Sequence, residues 1–511
     1  MSDQAHTLDR RTAMTVAALA LLLGIFAMND VPIGVFQDDG HYMILARALA
    51  HGDGYRYMNL PGAPAATHFP PGYPLLLAPL WWLAPRFPGN VAYFKLLNVA
   101  LLPVAALAIR VLARRIGGLG PVAASAVAVA SVASVPVLFL NGLLFSETAF
   151  MAALCATLIA VDRSLASAAA PPPRTLFLLG LAVGALSLLR TVGIALLPAA
   201  LAVLLVRRRW RDAVLLVAGV LVLLAPWQWW ASVNARAVPD VVAGAYGGYG
   251  PWLADAWHTG GLAFMRSVVV ENLRGMLIPL TLFGLAGAPV AVKGIAVGAL
   301  VVLAGAGAHH LWPRAPVTLL FLLPYGALLL VWPFPPDRFL WPLWPIILML
   351  LTVGTTHLGA ATAPAPTRHA VRLVSAVLAV LFVVWHVRTW PAHSWEAGER
   401  SMAHMGIAAA GVAAALPRDG LVASDQDAMV HLYTGRPAVP LLALTAVQHV
   451  RRRSDAELAA QVLGVLDAYH PRWVIVAEQE SLRAAHQLAL SGRLKLLGAD
   501  TSGVIVYDVV R

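Results

Sequence analysis

Charge is scarce in this chain and cysteine is nearly absent. Asp, Glu, Lys and Arg make up only 12% of the 511 residues, about half the share of a soluble domain, so an ordinary water-solvated fold is excluded. Cys155 stands alone inside an apolar run, which excludes an internal disulfide and any paired-thiol metal or redox chemistry. No basic stripe with interleaved aromatics occurs, so nucleic acid is not an expected partner. What is abundant is hydrocarbon: 59% of residues are hydrophobic and the mean hydropathy is +0.74. The lipid bilayer is the main solvent. The net charge of +11 comes with arginines gathered at the ends of apolar runs, at Arg10-Arg11, Arg114-Arg115 and Arg207-Arg208-Arg209 with Arg211. Such clusters mark the cytoplasmic ends of membrane helices.

With about 20 apolar residues per span, the chain reads as an α-helical polytopic membrane protein of about eleven transmembrane helices. Spans are predicted near 12–28, 91–112, 119–139, 146–162, 175–189, 191–206, 213–230, 286–308, 316–332, 340–356 and 370–389. The region 273–311 also admits two short spans, and one is preferred because it keeps His309-His310 and Arg314 inside. The first run follows Arg10-Arg11 without a small-x-small cleavage site, and is expected to stay as an uncleaved helix. The amino end is then cytoplasmic, as is the loop at Pro171-Pro172-Pro173. A transmembrane domain over 1–390 would carry outer loops at 29–90 and 231–275. After 391, short β-rich runs at Val422-Ala423-Ser424, Trp473–Val476 and Val504–Tyr507 alternate with helical stretches at 401–415, 455–469 and 480–491. This predicts a small extracytoplasmic α/β domain.

Acids at a membrane boundary are costly, and they stand out here. Asp38 and Asp39 open an amphipathic stretch, 40–51, that is too short to span, and 73–83 is a second. One of the two acids suffices to cap the helix, leaving the other to face a cavity. Glu147 opens the fourth span beside Ser146, where a capping role competes with a chemical one. Arg190, Arg338, His68 and Lys95 are cations expected at the same level. Their plainer roles are snorkelling for Arg190 and Lys95, pairing with Asp337 for Arg338, and a satisfied loop histidine for His68. In the loop 231–275, Tyr246, Tyr249 and Trp252 are candidate substrate-contacting aromatics, with Gly244, Gly247, Gly248 and Gly250 allowing movement.

The order of these motifs resembles one superfamily. Asp38-Asp39-x-x-Tyr42 after the first span, then His68-Phe69-Pro70-Pro71-Gly72-Tyr73-Pro74, is similar to the first outer loop of GT-C glycosyltransferases, the superfamily of lipid A aminoarabinose transferase and protein O-mannosyltransferases. Phe145-Ser146-Glu147, Leu188-Leu189-Arg190-Thr191-x-Gly193 and Asp337-Arg338-Phe339-Leu340-x-Pro342-x-x-Pro345 continue the likeness, and Tyr433-Thr434-Gly435-Arg436 resembles a turn in the tails of bacterial members. Two positions depart from the aminoarabinose transferase pattern. That pattern has Asp-Glu where this chain has Asp38-Asp39, and a Lys before the paired prolines where this chain has His68-Phe69.

The resemblance implies an inverting transfer from a polyprenyl-phosphate-linked sugar to a glycan, lipid or protein acceptor at the outer face of a bacterial inner membrane. It places Asp38, with Asp39 or Glu147, as acid–base residues, and Arg190, Arg338, His68 and Lys95 around the departing phosphate. No cofactor is expected to be required. Asp38, Asp39 and Glu147 are weak oxygen-ligand candidates for Mg²⁺ or Mn²⁺. A lipid-linked sugar transporter and a non-catalytic envelope-assembly subunit are the competing readings.

Overall fold

The computed structural model describes residues 3–166, 171–360, 364–392 and 396–510. Part of the loop before Pro171 and the residues just after the expected boundary at 391 lie outside these. In chain order the α-helices are α1 (Asp3–Phe26), α2 (Asp38–His51), α3 (Gly72–Leu83), α4 (Val91–Arg115), α5 (Pro121–Val132), α6 (Val135–Gly142), α7 (Glu147–Ala166), α8 (Pro173–Leu189), α9 (Leu196–Val206), α10 (Trp210–Val233), α11 (Ala243–Tyr246) and α12 (Tyr249–Gly275). There follow α13 (Val290–Leu311), α14 (Pro316–Val331), α15 (Asp337–Leu340), α16 (Trp344–Leu358), α17 (Ala365–Ala392), α18 (Glu396–Ala415), α19 (Asp427–Thr434), α20 (Asp455–Tyr469) and α21 (Gln479–Leu490). The strands are β1 (Val422–Ser424), β2 (Ala438–Pro440), β3 (Trp473–Val476), β4 (Leu494–Ala499) and β5 (Ile505–Val509).

Packing divides the chain into two compact units, each assembled from three segments. Unit 1 comprises 1–28, 96–225 and 269–393; unit 2 comprises 29–95, 226–268 and 394–511. This grouping cuts the chain differently from a division at 390, because both expected outer loops join the tail.

The protein is a multi-pass membrane protein. Among the described residues six helices are long and apolar enough to cross a bilayer, and α5 with α6 forms a seventh candidate bent by 57°. The bend falls where Ser134 and Pro136 interrupt the predicted 119–139 span, since Pro favours a new helix start over continuation. The region 273–311 contains one span, α13, preceded by a 3₁₀ stretch Ile278–Phe283. In unit 1, glycines set the closest helix approaches. A Cβ on Gly354 of α16 would stand 1.8 Å from the Leu303 carbonyl oxygen of α13, and one on Gly307 2.1 Å from that of Leu350. Two helices carrying small residues at such positions can pack backbone to backbone.

Within unit 1, Asp162 near the end of α7 is fully buried and caps α14. Its carboxylate accepts from the backbone N–H groups of Val317 and Thr318, both at 2.9 Å, and from the Thr318 hydroxyl at 2.5 Å. Ala315, at the α14 N-cap, has no side-chain oxygen, so the acid arrives from another helix.

Unit 2 holds the expected α/β region: a five-stranded sheet in the order β2-β1-β3-β5-β4. β1 lies parallel to β2 and β3, whereas β5 is antiparallel to β3 and β4. α20 begins at a capping box, with Ser454 and Glu457 each satisfying the other's backbone N–H. β2 and β4 are additions to the sequence reading: three residues ending in Pro440 and a largely exposed edge carry little period-two signal. α2 packs on α19, where a Cβ on Gly40 would meet Ala428 at 2.9 Å.

Candidate functional site

In unit 1 the site forms around the start of α7. A short turn, 143–146, joins α6 to α7, and Asn98 of α4 holds it by donating to the carbonyls of Leu143 and Phe145 at 3.0 and 3.2 Å. This presents Ser146 and Glu147 together. Arg190 follows the last residue of α8 in extended conformation, and Gly193 behind it has no room for a side chain, because a Cβ would stand 2.9 Å from the Leu186 backbone. Arg338 comes from α15, whose Phe339 carbonyl accepts from the Tyr325 hydroxyl at 2.7 Å.

These three elements converge on one carboxylate. Glu147 Oε1 lies 2.5 Å from Arg190 Nη1 and accepts from Arg338 Nε and Nη2 at 3.0 and 2.9 Å. Arg190 also donates to the Ser146 hydroxyl at 3.2 Å. Each guanidinium lies over an aromatic ring of the other motif, Arg190 over Phe339 at 4.9 Å and Arg338 over Phe145 at 4.2 Å. The side chains of Glu147 and Arg190 are 3% and 9% exposed, while Arg338 is 33% exposed. One carboxylate faces two guanidiniums, of which Arg338 is the more accessible, and an anion with several oxygens suits two donor forks. Arg338 therefore pairs with Glu147 rather than with Asp337 alone, and Glu147 organises the two cations.

In unit 2, Asp38 begins α2, and its charge works against the downward push of burial on His41 and His68. Asp39 has a structural role. Its carboxylate accepts from the N–H groups of Gly34 at 2.8 Å and Phe36 at 3.1 Å, closing the turn ahead of the helix, and burial pushes it up to about 6. His68 is buried with Nδ1 at 2.8 Å from the Gly247 carbonyl. Burial holds its pKa down, and Nδ1 donates to that carbonyl. Lys95 directs its ammonium to Asn29 O, Asn29 Oδ1 and Val31 O at 2.9, 2.8 and 2.7 Å, so its three donors bind the first outer segment. His41 is the residue that spacing did not single out: it is buried among Tyr57, Phe69 and Tyr246, and neither ring nitrogen has a partner.

The expected mobile loop 231–275 is largely helical, in α11 and α12. Tyr246 is fully buried; its hydroxyl donates to Asp427 and accepts from Asn59 Nδ2 at 2.5 Å. Trp252 Nε1 donates to Leu444 O at 2.9 Å, and Gly244 lies so close to Leu444 that a Cβ would stand 1.7 Å from its carbonyl oxygen. These contacts tie the segment to the α/β region, in place of the substrate-contacting platform and glycine hinge that the sequence suggested. Tyr249 lies against the His68 ring at 4.3 Å.

Among the described residues no three His, Cys, Asp or Glu side chains are grouped to hold a metal ion. Asp39 faces backbone donors and Glu147 faces guanidiniums.

The helical membrane architecture with its α/β region is a fold shared with ArnT and with an archaeal oligosaccharyltransferase. Among solved structures, ArnT from Cupriavidus metallidurans bound to undecaprenyl phosphate matches 97% of this chain and 98% of its own, with a TM-score of 0.57 and 15% identity. The archaeal oligosaccharyltransferase AglB from Archaeoglobus fulgidus, in complex with an inhibitory peptide and a dolichol-phosphate, matches 98% of this chain and 74% of its own, with a TM-score of 0.55 and 12% identity. No protein-family profile and no curated protein sequence matches.

Proposed function

We propose that the chain is an inverting glycosyltransferase that moves a sugar from a polyprenyl-phosphate-linked donor to a cell-envelope acceptor at the outer face of a bacterial inner membrane. The observation that carries this reading is the pair of guanidiniums on one buried carboxylate oxygen, a cationic site suited to a phosphate. The lipid phosphates bound by ArnT and AglB, which share the fold, support a lipid-borne anion as its occupant.

In the proposed reaction Asp38 takes the proton from the acceptor hydroxyl as that oxygen bonds to the anomeric carbon. The bond from that carbon to the phosphate oxygen breaks on the opposite face, and the lipid phosphate leaves with the electron pair. Arg190 and Arg338 receive the charge that builds on it, the kind of stabilisation that is often the largest catalytic contribution. A positioned base adds about 10²- to 10⁴-fold.

Comparing cell-envelope glycans by mass spectrometry in cells with the intact gene, without it, or with Asp38→Asn tests the reading. The expected result is loss of one sugar modification in both altered strains, with the variant still inserted at wild-type abundance. Full modification with Asp38→Asn removes Asp38 as the base. Movement of a lipid-linked sugar across vesicles containing only this protein would replace transfer by transport.

A further inference from the structure

Unit 1 has a second cationic feature, at the end of α7 away from Glu147. A groove of about 710 Å³ is lined by Ala108 of α4 and by Ala156, Ile159, Ala160, Arg163 and Ser164 of α7. Arg163 is exposed, and among the described residues it has no hydrogen-bond or ion-pair partner. The adjacent acid, Asp162, is turned into the cap of α14, and 163–175 contains no other acid. On the facing helix Arg115 follows Ala108 and Val111 at positions i+7 and i+4, hence on the same face; it is exposed and likewise has no partner among the described residues. Helix C-terminal ends favour cations, which accounts for an arginine on each helix. It does not account for a groove of this size that Arg163 itself lines.

We propose that this groove binds an anionic glycerophospholipid, with an acyl chain along the alanines and the headgroup phosphate between Arg115 and Arg163. The alanines leave lengthwise room for a straight hydrocarbon chain, a closer match than a methyl-branched isoprenoid. Basic pockets between transmembrane helices hold anionic headgroups in this way. Sixteen residues of α7 separate Glu147 from Arg163, about 24 Å along the helix, so this site is distinct from the one around Glu147 and does not depend on the reaction assigned to it.

The test uses the full-length protein, stripped of lipid in detergent and titrated with phosphatidylglycerol, phosphatidylcholine or undecaprenyl phosphate under native mass spectrometry. Phosphatidylglycerol is expected to bind more tightly than phosphatidylcholine, and undecaprenyl phosphate binding is expected to be insensitive to R163A. One cation near an anionic headgroup is worth about fivefold, so R163A should weaken phosphatidylglycerol binding about fivefold and R115A/R163A about thirtyfold, with phosphatidylcholine unaffected. Ala160→Leu, which fills the groove and keeps both charges, should weaken phosphatidylglycerol as well and serves if the double variant does not fold. Equal retention of phosphatidylglycerol and phosphatidylcholine, or unchanged binding in R163A and Ala160→Leu, overturns the site. Undecaprenyl phosphate binding that R163A and Ala160→Leu weaken more than they weaken phosphatidylglycerol binding overturns the glycerophospholipid as its occupant.

Discussion

Arg190 Nη1 stands 2.5 Å from Glu147 Oε1, and both side chains are almost entirely shielded from solvent. Removing one member of such a pair leaves an uncompensated buried charge, which destabilises by about 3–5 kcal/mol. Glu147→Ala leaves two guanidiniums without their common acceptor and is expected to cost at least that much in denaturant unfolding. Arg190→Ala should cost more than Arg338→Ala, because Arg338 is one-third exposed and solvent screens it. The reverse order would mean that burial does not set the strength of this cluster.

Donor recognition follows the geometry of the fork. Arg338→Lys retains the charge and loses the planar pair of donors, so it should raise the KM for a lipid-phosphate sugar about tenfold or more while leaving the unfolding midpoint near wild type. A steady-state titration of the donor checks this, and an unchanged KM would remove Arg338 from the phosphate site.

The cap of α14 is a second place where one acid serves several donors. Asp162→Ala deprives two backbone N–H groups and one hydroxyl of their acceptor, and is expected to destabilise by about 2 kcal/mol or more. Thr318→Val removes only the hydroxyl contact and should cost about 1 kcal/mol. Thermal unfolding of both variants in one detergent gives the ratio.

Contact between α13 and α16 depends on the absence of side chains at Gly307 and Gly354. Gly354→Leu must separate two backbones that approach within contact distance, and overpacking of this kind typically costs about 1–3 kcal/mol. The expected outcome is a lower unfolding midpoint that a second substitution at Gly307 does not restore.

Two buried acids of unit 2 contribute stability that falls as pH rises. Burial pushes Asp427 up to about 7 and Asp425 up to about 6, against an ordinary value of 3.8. These two groups bind more protons folded than unfolded between about pH 4 and 7, so their contribution falls through that window, while the buried His41 and His431, held down to about 3 and 4, contribute with the opposite sign. Glu457, pulled down to about 2 chiefly by Arg451, acts only below that window. Asp427→Asn should flatten the slope of the thermal midpoint between pH 5 and 8; an unchanged slope would exclude Asp427 as its source.

The membrane helices were legible because long apolar runs admit few alternatives, and Glu147, Arg190 and Arg338 were legible because charge stands out against hydrocarbon. Their mutual pairing was not. Arg338 has an acid beside it in sequence, yet it reaches across 191 positions to Glu147. The same holds for Tyr246, whose aromatic ring and glycine neighbours suggested a mobile platform; its partner Asp427 lies 181 residues away and leaves no local trace. The break in the third span was missed in the unbroken 119–139 reading, although Pro136 sits where a proline starts a helix more readily than it continues one. The assembly of unit 2 from three separated segments was invisible for the same reason as the pairings: it depends on contacts between distant residues, which periodicity does not record.

That assembly has a bearing on how the protein is made. Asn59 and Tyr246 leave the ribosome long before Asp427, the residue on which both of them converge. A growing chain that has inserted its membrane helices still holds an amide and a phenol awaiting their acceptor, and the outer segments can settle only when the last quarter of the polypeptide arrives. Biogenesis thus has a built-in checkpoint: a product truncated ahead of α19 would reach the bilayer with its first acidic motif unsupported, a natural target for quality-control proteolysis.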